Sequence, residues 1–254
     1  MDARHASPAP LVARWLGRVA YRDAWDLQKA LAGARAADVT PDQLLLLEHP
    51  PVLTLGRQAD DAHVLAPAPM LEARGIEVIR VERGGEVTYH GPGQLVAYPV
   101  VRLSDRGLYL REYVRALEGA MADTCAAEGV VAGRREGHPG CWLDAEGPLP
   151  RKVGALGVRV ERGVAYHGIA LNVTTDLADF DLIDPCGTPG LRSTSIAAEL
   201  GRRGAPPSTA SVEAAARVFA PALAERLGGV LVWADDDPWA ALTSGSGRAA
   251  GGAR

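Results

Sequence analysis

The sequence predicts an α/β (α+β) fold, a mixed β-sheet with flanking helices. Segments in which apolar and polar residues alternate outnumber amphipathic helical segments along the 254 residues. Several neighbouring segments are joined by short turns, which favours a mixed or antiparallel sheet over a doubly wound parallel one. The clearest helix is residues 108–128, whose apolar side chains recur every three or four positions.

The expected strands are short apolar or alternating segments bounded by glycine, proline and polar turn residues. In chain order they are residues 11–19, 43–47, 52–55, 77–82, 95–103, 152–160, 164–173 and 229–233. The triplet Glu161-Arg162-Gly163 joins two of these strands and predicts a hairpin there.

Four helices are expected, each with an apolar stripe or a recognisable first residue. They are residues 21–34, residues 108–128, a short helix after Ser195 that ends before Gly201, and residues 211–227. Pro221 should kink or divide the last helix, because proline lacks the backbone N–H.

No long linker or internal repeat interrupts these elements, so residues 11–240 are expected to form a single domain. Residues 1–10 are short, polar and proline-bearing, and we expect them to be disordered. Residues 241–254 contain mainly Gly, Ala, Ser and Arg, which is typical of a flexible tail.

Composition excludes several classes of function. A net charge of -4 gives no general basic field for nucleic acid. No apolar run approaches the ~20 residues of a membrane helix, and residues 1–10 lack the apolar core of a signal peptide, so we expect a cytoplasmic protein. The three cysteines are widely spaced and odd in number, which indicates neither a disulfide framework nor a zinc site, and no metal or cofactor is expected.

The most informative stretch is residues 83–94, a glycine-rich segment expected to be a loop between two strands. Glycines let a ligand approach the main chain closely, although most glycine pairs are simple connections. Here Arg83, Tyr89, His90 and Gln94 surround the glycines and favour a functional site.

The three cysteines have different surroundings. Cys125 lies on the apolar stripe of a helix and Cys141 in a short apolar run, so both are expected to be core residues. Cys186 lies among turn residues in Asp184-Pro185-Cys186-Gly187, where no periodicity would bury it. From the residues alone, Cys186 is either a nucleophile on a stiff loop or a half-exposed bystander.

A nucleophilic cysteine needs a neighbour that accepts its proton or favours its thiolate. Lys152 and Lys29 are the lysines of a chain in which arginine supplies the other positive side chains. An amine can lose its proton at neutral pH whereas a guanidinium cannot, so Lys152 is a candidate base, its alternative being a solvated surface charge. His90 and His167, each followed by glycine, are expected to be structural histidines bonded to backbone.

Three segments together resemble the lipoyl(octanoyl) transferase family, the octanoyl-acyl carrier protein:protein N-octanoyltransferases of lipoate biosynthesis. They are the run from Arg83-Gly84-Gly85 through Thr88-Tyr89-His90 to Gly93-Gln94 and Tyr98, then Lys152 with Ala155-Leu156-Gly157, and Pro185-Cys186-Gly187. The resemblance spans residues 11–232 and implies a biotin/lipoate protein ligase type of fold.

The resemblance also implies the roles of individual residues. Cys186 would be the acyl-thioester nucleophile, and Lys152 would activate its thiol and shuttle protons. The acyl substrate would be bound by Arg83, Gly84, Gly85, Glu86, Val87, Thr88, Tyr89, His90, Ala155, Leu156, Gly157, Gly168, Ile169 and Ala170. Octanoyl-acyl carrier protein would be the donor.

The acceptors that the resemblance implies are lipoyl domains of 2-oxoacid dehydrogenases and the glycine cleavage H protein, with a monomeric enzyme acting on them. Arg134, Arg135 and Arg151 are candidates for docking an acidic carrier protein. Three alternatives stay open: an ATP-dependent lipoate or biotin ligase of the same fold, a non-catalytic acyl or carrier-protein binding module, and a Cys/His hydrolase.

Overall fold

A computed structural model describes residues 10–184, 192–204 and 211–239 of the chain. The strands in these residues are β1 (Leu11–Arg18), β2 (Asp42–Glu48), β3 (Val52–Leu55), β4 (Glu77–Arg80), β5 (Val87–His90), β6 (Gln94–Arg102), β7 (Gly133–Arg135), β8 (His138–Leu143), β9 (Arg151–Glu161), β10 (Val164–Asn172), β11 (Arg192–Ser193) and β12 (Leu231–Trp233). The α-helices are α1 (Tyr21–Ala36), α2 (Ala68–Ala73), α3 (Leu110–Ala127), α4 (Ile196–Arg202) and α5 (Val212–Arg226).

The strands form a large and a small sheet. The main sheet has the order β12-β1-β2-β6-β10-β9-β8-β7, with β11 beside β9, and the small sheet has the order β4-β3-β5. Strands β12, β1 and β2 are parallel neighbours, whereas β2, β6, β10, β9, β8 and β7 pair antiparallel. The predicted mixed sheet with flanking helices is therefore confirmed.

The two faces of the main sheet are covered by different helices. Helices α3 and α5 cover one face, where Leu44, Leu46, Leu117 and Phe219 belong to one buried cluster. Helix α1 covers part of the opposite face through Ala24, Leu27 and Leu31, which pack with Leu45 and Leu47. The four consecutive leucines of β2 thus alternate between the faces, as expected for a strand buried on both sides.

The hairpin predicted at Glu161-Arg162-Gly163 is present between β9 and β10. Arg162 and Gly163 have φ values of 50° and 79°, so the two-residue turn is of the type that matches the twist of an antiparallel pair. This turn sets the register in which Gly157 faces Gly168 and Ala155 faces Ala170. The register is important because these small residues line the site described below.

Ser195 caps α4, as predicted, by accepting a 3.1 Å hydrogen bond from the Ala198 N–H. The helix ends at Arg202, however, and not before Gly201. Helix α5 runs through Pro221 without being divided. Its buried side chains Phe219 and Leu223 pack into the main core on both sides of the proline, which offsets the lost backbone hydrogen bond.

Three other expectations need correction or addition. The glycine-rich segment 83–94 is not a continuous loop, because Val87–His90 pairs antiparallel with β3 as strand β5. The short helix α2, which Pro67 directly precedes, is not among the expected helices. The short strands β7 and β8 were not expected, because β7 is rich in arginine and shows little apolar alternation.

Residues 1–9 and 240–254, which contain nearly all of the two predicted terminal extensions, lie outside the described part of the chain. Within the described part, no helix is long and apolar enough to cross a membrane.

Candidate active site

A cavity of about 460 Å³ lies between the main sheet and the small sheet. Its floor is the face of the main sheet that α1 covers farther along, and its roof is the chain from Arg83 to His90. The predicted residues that line it are Arg83, Gly84, Gly85, Glu86, Val87, Thr88, His90, Ala155, Leu156, Gly157, Gly168, Ile169, Ala170 and Lys152. Their roles in binding and chemistry stay predictions.

Tyr89 is the predicted binding residue that lies elsewhere. Its ring is buried in the cluster beneath the small sheet, in edge contact with Phe180 at 5.5 Å between centroids. Burial is also the main reason that the pKa of its hydroxyl is raised. Along β5 the neighbouring residues Thr88 and His90 point to the cavity side, so Tyr89 supports the roof from behind.

Small residues on two paired strands create the space in the cavity. Ala155 and Gly157 of β9 face Ala170 and Gly168 of β10 on the cavity side of the sheet. A Cβ atom built on Gly157 would lie 2.7 Å from the Gly84 carbonyl oxygen, and one on Gly168 would lie 2.1 Å from that of Ala97. Only glycine permits these two backbone approaches.

Arg83 and Gly84 fasten the roof to the rest of the protein. The Gly84 N–H donates a 3.1 Å hydrogen bond to the Val158 carbonyl on β9. The Arg83 guanidinium donates to the Thr54 carbonyl and hydroxyl at 2.7 and 2.8 Å, and to the Gly84 carbonyl at 3.0 Å. The geometry therefore assigns Arg83 a structural use in addition to its predicted contact with substrate.

Lys152 lies at one end of the cavity, against Trp142. Its ammonium nitrogen is 4.9 Å from the centroid of this buried ring, within the range of a cation–π interaction. Gly140, with φ +137°, lets the lysine stem pass, since a Cβ atom there would lie 2.6 Å from Lys152 Cε. The short apolar run around Cys141 is expected from the sequence to be core, and no local signal indicates that its Trp142 contacts Lys152.

Cys186, the predicted nucleophile, lies outside the described residues. Cys125 and Cys141 are both fully buried in the cluster under α3, as predicted. Hydrogen bonding with Cys141, together with burial, raises the pKa of the Cys125 thiol. Neither of these two cysteines lines the cavity within the described structure.

His90 is bonded to side chains, not to backbone as predicted. Gln94 donates its amide hydrogens to the Tyr89 carbonyl and the Asn172 side chain, so its oxygen accepts a 2.8 Å hydrogen bond from His90 Nδ1. His90 Nε2 then faces the Thr54 hydroxyl at 3.3 Å. Burial lowers the pKa of His90 well below its usual value, which leaves a neutral imidazole at neutral pH.

A hydrogen-bond chain continues from Gln94 across the sheet to Arg151. Asn172 donates to the Thr194 carbonyl at 2.9 Å, and the Thr194 hydroxyl donates to Glu199 at 2.6 Å. Glu199 also pairs with Arg151 at 2.8 Å. Arg151, expected as a docking residue for a carrier protein, is therefore engaged in holding α4 against β9.

His49 lies behind the cavity, where it contacts the lining residue Tyr98, and the sequence did not indicate this position. Its Nδ1 contacts the Val19 carbonyl at 2.7 Å and its Nε2 contacts the Tyr98 hydroxyl at 2.8 Å. Burial lowers the pKa of His49 to about 4. Its position before Pro50-Pro51 indicated only a strand break, and no local signal could show that β6 brings Tyr98 against it.

His167 lines the cavity in a strained backbone conformation, with φ +59° in the middle of β10. Its Nε2 lies 3.4 Å from the Glu82 carboxylate, which also accepts a 3.0 Å hydrogen bond from Trp25. Burial would raise the pKa of Glu82, but the bonds from His167 and Trp25 lower it to about 2. Burial lowers the pKa of His167 itself. Its ring is thus paired with a carboxylate, and neither ring nitrogen has a hydrogen bond to backbone among the described residues, contrary to the prediction.

No group of three or more metal-ligating side chains is found among the residues that the structure describes.

Comparisons with known proteins agree with this fold. Residues 20–223 match the family model of the lipoyl protein ligase A/B catalytic domain. An octanoyltransferase of Chloroflexus aurantiacus is 48% identical over 193 residues, covering 76% of this chain and 85% of the relative. An octanoyltransferase of Acidobacterium capsulatum is 46% identical over 212 residues, covering 80% and 86%.

Solved structures give the same fold at low sequence identity. Lipoate-protein ligase A bound with ATP superposes with a TM-score of 0.70 at 15% identity, covering 93% of each chain. The bipartite lipoate protein ligase of Thermoplasma acidophilum gives 0.65 at 16% identity, covering 93% of this chain and 91% of the other. The expected fold is confirmed, and with it the implied enzyme class. The chain belongs to the lipoyl protein ligase A/B catalytic domain family, among its octanoyltransferases, enzymes that transfer octanoyl groups in lipoate biosynthesis.

Proposed function

We propose that the chain transfers octanoyl in two steps through a thioester on Cys186. In the first step Lys152 takes the proton of the Cys186 thiol, and the thiolate attacks the thioester carbonyl of octanoyl-acyl carrier protein. A C–S bond to Cys186 forms, the C–S bond to the carrier breaks, and the proton passes from Lys152 to the leaving carrier thiolate. In the second step the ε-amine of a lysine on a lipoyl domain attacks the acyl-enzyme. A C–N bond forms, the C–S bond to Cys186 breaks, and the proton of the amine leaves through Lys152.

The position of Lys152 is the observation that supports this mechanism most directly. Lys152 lies at one end of a cavity whose middle is lined by apolar and small residues, as an acyl site requires. The chain on the far side of Cys186 returns to the same place, because Ser193 pairs with Lys152 and the Thr194 N–H donates to the Lys152 carbonyl at 2.9 Å. The chain therefore re-enters the described structure at Lys152, a few residues after Cys186 in sequence, which supports the proposed pairing of the two residues in the mechanism.

Two buried histidines close to the cavity, His90 and His49, are poor alternatives to Lys152 as the proton acceptor. His90 is neutral, and Gln94 and Thr54 occupy its two ring nitrogens. His49 is neutral at pH 7 as well, and Val19 and Tyr98 occupy its ring nitrogens. An imidazole whose nitrogens are both engaged in structure is a poor general base, because accepting a proton would break a buried hydrogen bond.

The proposed donor and acceptors are octanoyl-acyl carrier protein and the lipoyl domains of 2-oxoacid dehydrogenases and the glycine cleavage H protein. No nucleotide is needed, since exchange of one thioester for another is close to isoenergetic and the final amide is more stable. The apolar walls would bind the chain through burial of its methylenes, at ~0.8 kcal/mol per CH₂.

The test is intact-protein mass spectrometry after incubation with octanoyl-acyl carrier protein in the absence of ATP. We expect one octanoyl adduct that hydroxylamine removes, that an apo lipoyl domain discharges, and that Cys186→Ser lacks. The matched control is Cys141→Ala, which removes a buried thiol and should keep the adduct.

An adduct on Cys186→Ser would disprove the nucleophile assignment. Modification of the lipoyl domain only with free octanoate and ATP, without an acyl-enzyme, would assign the chain the ligase reaction instead.

A further inference from the structure

The end of the cavity away from Lys152, here termed the distal end, is polar. Strands β9 and β10 run along the cavity from Lys152 to the pair Val158 and His167, six residues or roughly 20 Å away along β9. Strand β6 places Tyr98 beside this end, opposite Gly168 in its register with β10. Tyr21 of α1 lines the cavity as well. An acyl chain whose carbonyl lies near Lys152 would therefore point its far end toward polar side chains.

The Tyr98 hydroxyl at the distal end has a defined hydrogen-bond direction. The Val19 carbonyl can only accept, so His49 Nδ1 carries the hydrogen and His49 Nε2 accepts from the Tyr98 hydroxyl. Tyr21 also lines the cavity, and its ring lies 5.0 Å from that of His49 between centroids. A phenolic oxygen keeps a lone pair whichever way its hydrogen points, so the Tyr21 oxygen can act as an acceptor at the cavity surface.

His167 presents a second acceptor at the distal end. The Glu82 carboxylate 3.4 Å from Nε2 favours the tautomer in which Nε2 carries the hydrogen, so Nδ1 holds a lone pair. The side chain is 1% exposed, and Nδ1 has no hydrogen-bond partner among the described residues. Holding this ring in place requires the strained φ of +59°, a cost that is common at binding sites.

We propose that the distal end is a polar subsite for an O–H donor, formed by His167 and Tyr21. The donor is a water molecule beneath an octanoyl chain, or the terminal hydroxyl of a longer ω-hydroxyacyl chain. The cavity volume of about 460 Å³ leaves room for such a molecule, and two acceptors are enough to hold it. The proposal rests on the proposed function, because it assumes that the cavity binds acyl chains.

The subsite should weaken the binding of long alkyl chains, because such chains cost hydrogen bonds there. A methyl end that reaches the distal end displaces the donor and leaves the His167 lone pair buried without a partner, which costs more than the contact gains. A hydroxyl at the same position supplies the missing donor. Chain length is then limited by the loss of hydrogen bonds and not by a steric wall.

The experiment is calorimetric titration of the full chain with octanoic, decanoic and 10-hydroxydecanoic acids. We expect 10-hydroxydecanoic acid to bind about 3- to 10-fold more tightly than decanoic acid, the usual net gain from one hydrogen bond. The hydroxyl should give no such advantage in His167→Asn, which retains a residue tolerant of positive φ, or in Tyr21→Phe. The control is Tyr113→Phe, whose buried side chain belongs to the core on the opposite face of the main sheet, and it should preserve the advantage.

The results separate the subsite from the acyl site itself. Equal or weaker binding of the hydroxy acid by the wild-type chain, with saturable binding of the plain acids, would overturn the subsite alone. An advantage that survives in both His167→Asn and Tyr21→Phe would overturn it too. Failure of all three acids to bind would overturn the subsite together with the acyl cavity. None of these readouts depends on Cys186 being the nucleophile.

Discussion

The two faces of the main sheet use the same strands in opposite ways. On the face under α3 and α5, the residues of β10 that point inward, among them Ala165, Ile169 and Leu171, are packed in a continuous core. On the opposite face, β10 has Val164 under α1 and, farther along, Gly168 and Ala170, which line the cavity.

The difference shows how a site is made without opening the core. On one face, large side chains pack into the core that determines the fold. On the other face, the same strands carry small residues, and the cavity occupies the space that larger side chains would fill. The small sheet then closes over the vacant area through backbone contacts such as that of Gly84 with Val158. Substitutions on the two faces should therefore have separable effects on stability and on activity.

The largest effect is expected at the open face, from Lys152→Arg. This change keeps the charge but removes an amine that can accept a proton, and it should slow octanoyl transfer by about 10²–10⁴-fold. The free energy of unfolding should change by less than about 0.5 kcal/mol. Single-turnover transfer to a lipoyl domain and thermal denaturation measure the two quantities.

Lys29→Arg is the matched control, since Lys29 forms a surface pair with Asp26 and should keep the wild-type rate. A wild-type rate for Lys152→Arg would mean that Lys152 contributes only its charge.

A smaller effect, on the pH dependence of stability, is expected from His49, which is buried between α1 and the cavity face of the main sheet. Its pKa falls from 6.5 to about 4 on folding, so the unfolded chain binds more protons between these values and stability declines as pH falls through this window. The loss should reach about 3 kcal/mol from His49 alone, and His90 acts in the same direction. Urea denaturation of the wild type at pH 7 and pH 4.5 measures it.

His49→Gln should be less stable than wild type at pH 7 but should lose less stability on acidification. An identical pH dependence in the two proteins would contradict the assignment of the neutral imidazole.

The smallest effect is expected from a matched pair of substitutions on β10. Ala165→Val adds two carbon atoms to the filled face and should destabilise the fold by about 1–3 kcal/mol through overpacking. Ala170→Val adds them to the cavity, so stability should be nearly unchanged, but preference should move from octanoyl toward hexanoyl by about 4-fold per methylene excluded. Denaturant unfolding and transfer rates for the two chain lengths test both changes. Equal destabilisation by both substitutions would contradict the conclusion that one face of the sheet is filled and the other has room for a ligand.

The sequence predicted much of the architecture because the main strands and α3 carry strong periodicity. The runs of β2, β6, β9 and β10 alternate or are continuously apolar, and this pattern depends on burial alone. Strand β5 was not predicted, because Gly84 and Gly85 lie close before it and Gly91-Pro92-Gly93 follows it. Such residues usually mark turns.

The site was predictable where its residues adjoin in sequence and not where tertiary contacts bring them together. Arg83 to His90 form one run, and their resemblance to a family motif identified them. His49 and Trp142 have no informative neighbours, and their parts in the site depend on strand pairing that brings Tyr98 and Lys152 to them. Tyr89 belongs to the motif run, but the alternation of β5 turns it away from the cavity.

The small residues of the cavity floor have a thermodynamic consequence for the loaded protein. Ala155, Gly157, Gly168 and Ala170 leave the sheet without a side-chain layer, and an acyl chain would supply that layer. A ligand that binds only the folded state raises the free energy of unfolding by RT ln(1 + [L]/Kd). On the proposed function the substrate would thus complete the hydrophobic core, and the enzyme would reach its full stability only while the acyl group that it transfers occupies the cavity.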